Sequence, residues 1–188
     1  KAIRRQRQMC IRDRSDNIFT QTAARLPWLL IGMIGGLSNS VILGGFEANL
    51  ATNPKMALFI PLIGGTGGNV GIQSSAIVVQ GLANNSLKEG EIFPQIMKEG
   101  IVSIINASII SLVVFIYNFL MLGDKAITIS VSLSLFTVVM FASIFGTVVP
   151  LLLDKMKIDP ALATGPFITI SNDIIGMLIY MFIASALT

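Results

Sequence analysis

Five long stretches almost free of charge dominate this chain: Leu26 to Phe46, Met56 to Leu87, Ile101 to Gly123, Ala126 to Leu153, and Pro160 to Thr188, the last interrupted only by Asp173. Each reaches or exceeds the roughly 20 apolar residues that a helix needs to cross the hydrocarbon of a bilayer. None alternates apolar and polar residues in segments of about ten, as the strands of a membrane barrel would. The spacing predicts an all-α membrane protein of five transmembrane helices.

Composition agrees. The 188 residues are 53% hydrophobic and 12% charged, against about a quarter charged in an average soluble domain. The net charge of +3 comes largely from an Arg-rich amino-terminal segment beside the first span. That placement points to topology control and contact with anionic lipid headgroups, not to nucleic acid. Cys10 is the only cysteine, so an internal disulfide is excluded. Lys1 to Arg25 has no apolar core of signal-peptide length, and the chain opens without methionine, which is expected of a fragment or processed product.

With the amino terminus inside, Lys1, Arg4, Arg5, Arg7, Arg12, Arg14 and Arg25, together with Lys88, Lys98, Lys155 and Lys157, fall on the cytoplasmic side. That is eleven of the thirteen cations, leaving Lys55 and Lys125 outside. Five spans then carry the carboxyl terminus out, and the expected location is the cell (inner) membrane, multi-pass. Residues 1–25 read as a basic cytoplasmic tail and 26–188 as one membrane domain. The first span is expected to begin at Arg25-Leu26-Pro27-Trp28, with proline in the first turn and tryptophan at the interface. The polar segment from Leu82 to Glu99 is expected to form a helix lying on the cytoplasmic surface.

Charge accounting then isolates one residue. Asp13, Asp16, Glu89, Glu91, Glu99, Asp124, Asp154 and Asp159 are expected in the tail or loops, and Glu47 at the outer end of span one; only Asp173 falls inside a span. It lies fourteen residues beyond Asp159, roughly 20 Å deep at about 1.5 Å per residue. An ionised carboxylate there costs at least a few kcal/mol unless it is hydrated or paired. The chain has no histidine and no lysine or arginine within a span. The partner of Asp173 is therefore water, a cation or a proton.

Two polar, helix-weakening runs accompany it. Residues 61–73 carry five glycines in eight positions, Gly64 to Gly71, together with Asn69 and Gln73. Such a run permits either close helix packing or an unwound backbone lining a cavity. The last span contains Thr164-Gly165-Pro166, then Thr169, Ser171 and Asn172 before Asp173. Carboxylate, hydroxyl, amide and carbonyl oxygens suit hard cations such as magnesium rather than zinc or copper. Magnesium keeps much of its water, so one carboxylate per chain is chemically reasonable. A symmetric pair of chains would bring two such carboxylates to one axis.

Several motifs together resemble the MgtE family of magnesium transporters and channels: Arg25-Leu26-Pro27-Trp28-Leu29-Leu30, Gly67-Gly68-Asn69-Val70-Gly71-Ile72-Gln73, and Ile158-Asp159-Pro160-Ala161-Leu162-Ala163 leading to Gly165-Pro166-Phe167 and Asp173. The resemblance covers about Leu26 to Thr188. It implies a homodimer with the pore along its two-fold axis, Asp173 as the pore aspartate that meets the metal, Asn69 within a pore-lining motif with Gly67, Gly68 and Gln73, and Asp159 at the cytoplasmic mouth. Thr66 and Ile170 depart from the family pattern, where methionine and a second threonine are common, and the family's amino-terminal sensor and paired CBS domains do not lie within these residues.

The leading expectation is conduction of Mg2+, as transported ion and not catalytic cofactor, down its electrochemical gradient. The alternative is another divalent cation, or efflux or exchange coupled to Na+ or H+. A non-conducting membrane subunit that binds a partner through its basic tail is a third reading. An intramembrane aspartyl protease would need two carboxylates sharing a proton, and no enzyme is expected. No Walker motif for ATP occurs.

Overall fold

The structure is a computed structural model that describes residues 17–84, 86, 92–157 and 160–187. Its elements are α1 (Ile18–Gly45), a short α2 (Glu47–Thr52), a 3-10 segment (Pro54–Phe59), α3 (Ile60–Ala83), α4 (Ile92–Met121), α5 (Lys125–Lys155) and α6 (Pro160–Leu187). Among the described residues the regular structure is entirely helical.

Among the described residues, three stretches are long and apolar enough to cross a membrane: Phe93–Met121, Lys125–Lys155 and Phe167–Leu187. Among the described residues of α1, Leu29–Gly45 form an apolar stretch. The sequence of α3 is diluted by its glycines, serines, asparagine and glutamine, although the helix itself runs for 24 residues.

Helix α1 begins at Ile18, not at the expected Arg25-Leu26, so Pro27 lies within it and not in its first turn. An interior proline withdraws one backbone hydrogen bond, and this helix absorbs the loss without ending. Its parallel neighbour is α6. Ile170 seats on Gly35, where any Cβ would collide with it. Further along, the rings of Phe46 and Phe182 meet edge to face with centroids 5.6 Å apart. Because residue numbers rise together along both helices between these contacts, α1 and α6 point the same way.

The glycine run of α3 stays helical throughout; of the two readings, close packing is the one realised. A Cβ on Gly67 would press on Val138 of α5, one on Gly71 would strike the side-chain amide of Asn172 on α6, and one on Gly146 of α5 would collide with the Gly71 carbonyl. Here α3 and α5 cross backbone to backbone. Such small-residue contacts are how membrane helices gain dispersion energy where lipid supplies no hydrophobic drive.

Helix α5 is the hub, touching α3, α4 and α6. Its Val131, Leu135, Val138 and Val139 are buried with Met177, Tyr180, Met181 and Ala184 of α6 and with Met56, Phe59 and Ile63. Tyr180 Oη donates to the Met56 carbonyl at 2.7 Å and fastens the 3-10 segment to α6. The α4–α5 turn uses Gly123 at φ +65°, followed by Asp124, whose Oδ1 accepts from the N–H groups of Ala126 and Ile127 at 3.1 and 3.3 Å. That is N-capping of the kind aspartate performs well.

The segment expected to lie on the cytoplasmic surface is divided differently. Leu82 and Ala83 end α3, whereas Phe93 to Glu99 form the first turns of α4 and continue directly into its apolar run. Helix α4 packs on α5 through a face of Glu99, Ser103, Ala107 and Asn118, all buried. Its opposite side exposes Ile101, Ile105, Ile109, Leu112, Val113, Ile116 and Leu120. Such a surface is costly in water and well matched to lipid.

Candidate functional site

Where α1, α3 and α6 meet, a groove of about 380 Å³ is lined by Asn39 of α1, by Gly64, Gly65, Gly68 and Asn69 of α3, and by Thr169 and Asp173 of α6, with Ile60, Ile72 and Met177 closing its apolar parts. The glycines make the floor. A Cβ built on Gly64 or Gly68 would sit 3.7 or 3.8 Å from Asp173 Oδ1, so any longer side chain there would occupy the space in front of the carboxylate.

Asp173 is partly buried and makes no hydrogen bond or ion pair with another described residue. Thr169 Oγ1 donates to the Gly165 carbonyl at 3.0 Å. Its proton is thereby committed to the backbone, and its lone pairs remain as acceptors. Among the described residues, the polar groups of the groove are thus a carboxylate, a hydroxyl oxygen and amides, with no lysine or arginine on its walls. Among the described residues no three His, Cys, Asp or Glu side chains converge. Such a donor set suits a hard cation that keeps its own water better than one stripped bare by a protein cage.

Of the residues singled out in the sequence, Asp173, Asn69, Gly68 and Thr169 line this groove together. Gly67 and Asn172 instead form the α3–α6 contact: Asn172 Nδ2 donates to the Gly67 carbonyl at 3.2 Å, and both residues are buried. Gln73 is exposed and is not on the groove wall. Glu47 opens α2, exposed, just beyond the end of α1. Asp159, assigned to the cytoplasmic mouth, lies outside the described residues, as does the tail from Lys1 to Asp16.

Sequence reasoning missed two polar residues. Asn39 is one. The other is Glu99, which was expected in a loop but is buried between helices at 9% exposure. Its Oε1 accepts from Ser74 Oγ of α3 at 2.7 Å and from Ser143 Oγ of α5 at 2.5 Å. Asp173 is therefore not the only carboxylate within an apolar helix, a correction to the charge accounting. The signal available was the four-residue spacing of Glu99, Ser103 and Ala107, which marks one helical face.

The site is thus a carboxylate without a partner among the described residues, set over a glycine floor in a groove of oxygen acceptors within an apolar helical bundle. The family model described as a divalent cation transporter, MgtE, matches residues 60–183. The chain belongs to the MgtE family. It is 36% identical to the magnesium transporter MgtE of Bacillus subtilis over 162 residues, covering 86% of this chain and 36% of that protein. It is 31% identical over 171 residues to that of Enterococcus faecalis, covering 91% of this chain and 38% of the relative. It is 32% identical over 164 residues to that of Thermus thermophilus, covering 87% and 36%. The chain thus spans little more than a third of the length of these relatives.

Proposed function

We propose that this chain is the pore-forming membrane domain of a magnesium channel. In this reading α1, α3, α4, α5 and α6 all cross the bilayer, the amino terminus is cytoplasmic, and two copies meet so that their Asp173 carboxylates face one axis. Mg2+ passes down its electrochemical gradient. The observation that carries the reading is Asp173 itself, an acceptor without a partner among the described residues, in an apolar helix and set over glycines that leave room before it. The family is one of divalent cation transporters and the relatives are named as magnesium transporters, which supports this choice of ion.

The chemistry is attraction and outer-sphere holding. A hydrated Mg2+ offers water protons, and the Asp173 carboxylate, the lone pairs of Thr169 and the amide oxygen of Asn69 accept them. The ion need not shed its shell, which magnesium does reluctantly. Two carboxylates about a common axis would balance a divalent charge, and no covalent step or nucleotide is involved. Asp159 and Glu47 serve in this reading as acidic residues of the inner and outer mouths.

The test is Mg2+ uptake into proteoliposomes containing the full-length protein, followed with an entrapped magnesium indicator. Asp173→Ala should reduce uptake at least tenfold, and Asp173→Asn, which keeps the size and removes the charge, should do nearly the same. Unchanged uptake in both variants would remove Asp173 from the ion path.

A further inference from the structure

Asn39 lies on α1, four residues past Gly35, while Asp173 lies on α6, three residues past Ile170. Gly35 and Ile170 are in contact and the two helices run parallel. One turn onward from that contact, Asn39 and Asp173 therefore stand at the same level, and both line the groove. Asn39 Oδ1 is shut away from solvent with no hydrogen-bond donor, and neither polar atom of its side chain has a partner among the described residues. A buried acceptor left unpaired costs about 1–3 kcal/mol, and such a group calls for an explanation. The terminal torsion of asparagine is broad and roughly two-fold, so rotation alone turns the carbonyl toward the groove.

We propose that Asn39 is a selectivity-determining residue of this groove, its amide oxygen accepting hydrogen bonds from the water shell of a hydrated divalent cation held by Asp173. The inference rests on the reading of the groove as an ion path and adds a third wall to it. Helices α3 and α6 supply the floor and the charge. Helix α1 supplies an acceptor on the side that neither of them reaches. A hydrated ion is gripped through its water, and an oxygen placed one shell out distinguishes it from a cation that readily sheds that water. Water-mediated bonds of this kind are nearly as good as direct ones.

The experiment uses the full-length protein in proteoliposomes with Asn39→Leu, Asn39→Asp and Asp173→Asn. Two readouts are taken: the half-saturating Mg2+ concentration, with Mn2+ in competition, and block by cobalt(III) hexaammine, whose fixed ligands imitate a hydrated ion. Asn39→Leu should raise the half-saturating concentration and the blocking concentration about fivefold to tenfold, the loss of one hydrogen bond, and should reduce the preference for Mg2+ over Mn2+. Asn39→Asp, nearly the same shape, should lower both concentrations. If the leucine variant does not elute like the parent from a sizing column in detergent, the aspartate variant carries the test. Unchanged half-saturation and unchanged block in the Asn39 variants, with Asp173→Asn still impaired, would overturn this inference and leave the ion path standing. Unchanged behaviour in all variants would overturn both.

Discussion

Replacing Glu99 separates a clamp between helices from an incidental buried charge. Glu99 Oε1 is the common acceptor for Ser74 and Ser143, whose hydroxyl oxygens are themselves 3.1 Å apart. Three helices are thus joined at one oxygen. A hydrogen bond to a charged group contributes about 1.5–3 kcal/mol. In Glu99→Ala, however, each serine can turn to a carbonyl one helical turn back and recover part of that. The deletion also leaves a small void. The net expectation is about 2–4 kcal/mol of destabilisation for alanine. Glu99→Gln keeps an oxygen where both hydroxyls need one, and should cost only about 1 kcal/mol. At about 2–4 °C per kcal/mol for a chain of this size, thermal unfolding in detergent should fall by about 4–16 °C in the alanine variant and by only a few degrees in the glutamine variant. The decisive measurement is a double-mutant cycle of Glu99→Ala with Ser143→Ala. A coupling near 1 kcal/mol or more is expected for groups in direct contact. Strict additivity, or equal melting of the alanine and glutamine variants, would refute the clamp.

Other outcomes follow from the same geometry. Gly146→Ala drives a methyl group into the Gly71 carbonyl, and because both partners are backbone, overpacking should cost about 1–3 kcal/mol, read as a lower melting temperature. Gly68→Leu places its side chain beside Asp173 in the open groove; Mg2+ uptake should drop at least tenfold with melting nearly unchanged, and normal uptake would show that ions do not pass there. Tyr180→Phe removes the hydrogen bond to the Met56 carbonyl and should cost about 1 kcal/mol, again read from melting.

What the sequence revealed and what it concealed divide along the range of the interactions concerned. Asp173 was legible because isolation of a charge within an apolar stretch is a property of the stretch itself. The glycine run announced an unusual α3, but whether it packs or unwinds depends on Val138, Gly146 and Asn172 from other helices, and these could not be read from residues 61–73. Pro27 looked like the start of a helix because proline is favoured there, yet the residues before it are helical too. Glu99 was assigned to a loop by its charged neighbours. Its serine partners lie 25 residues before it and 44 after it, a distance over which local polarity carries no information. Asn39 escaped notice for the same reason, since it gains meaning only when α1 is laid parallel to α6.

The backbone-tight crossing of α3 and α5 has a consequence for how the protein sits among lipids. Helices α5 and α6 have 31 and 28 residues, about 40–45 Å at 1.5 Å per residue, longer than the roughly 30 Å of bilayer hydrocarbon. Helices that overreach the hydrocarbon are accommodated in a bilayer by tilting. Any change in that tilt meets α3 at Gly71 and Gly146, where there is no side chain to yield, and so passes to the helix that carries the groove floor. On the proposed reading, the width of the groove in front of Asp173 would then depend on how α5 is set in the bilayer.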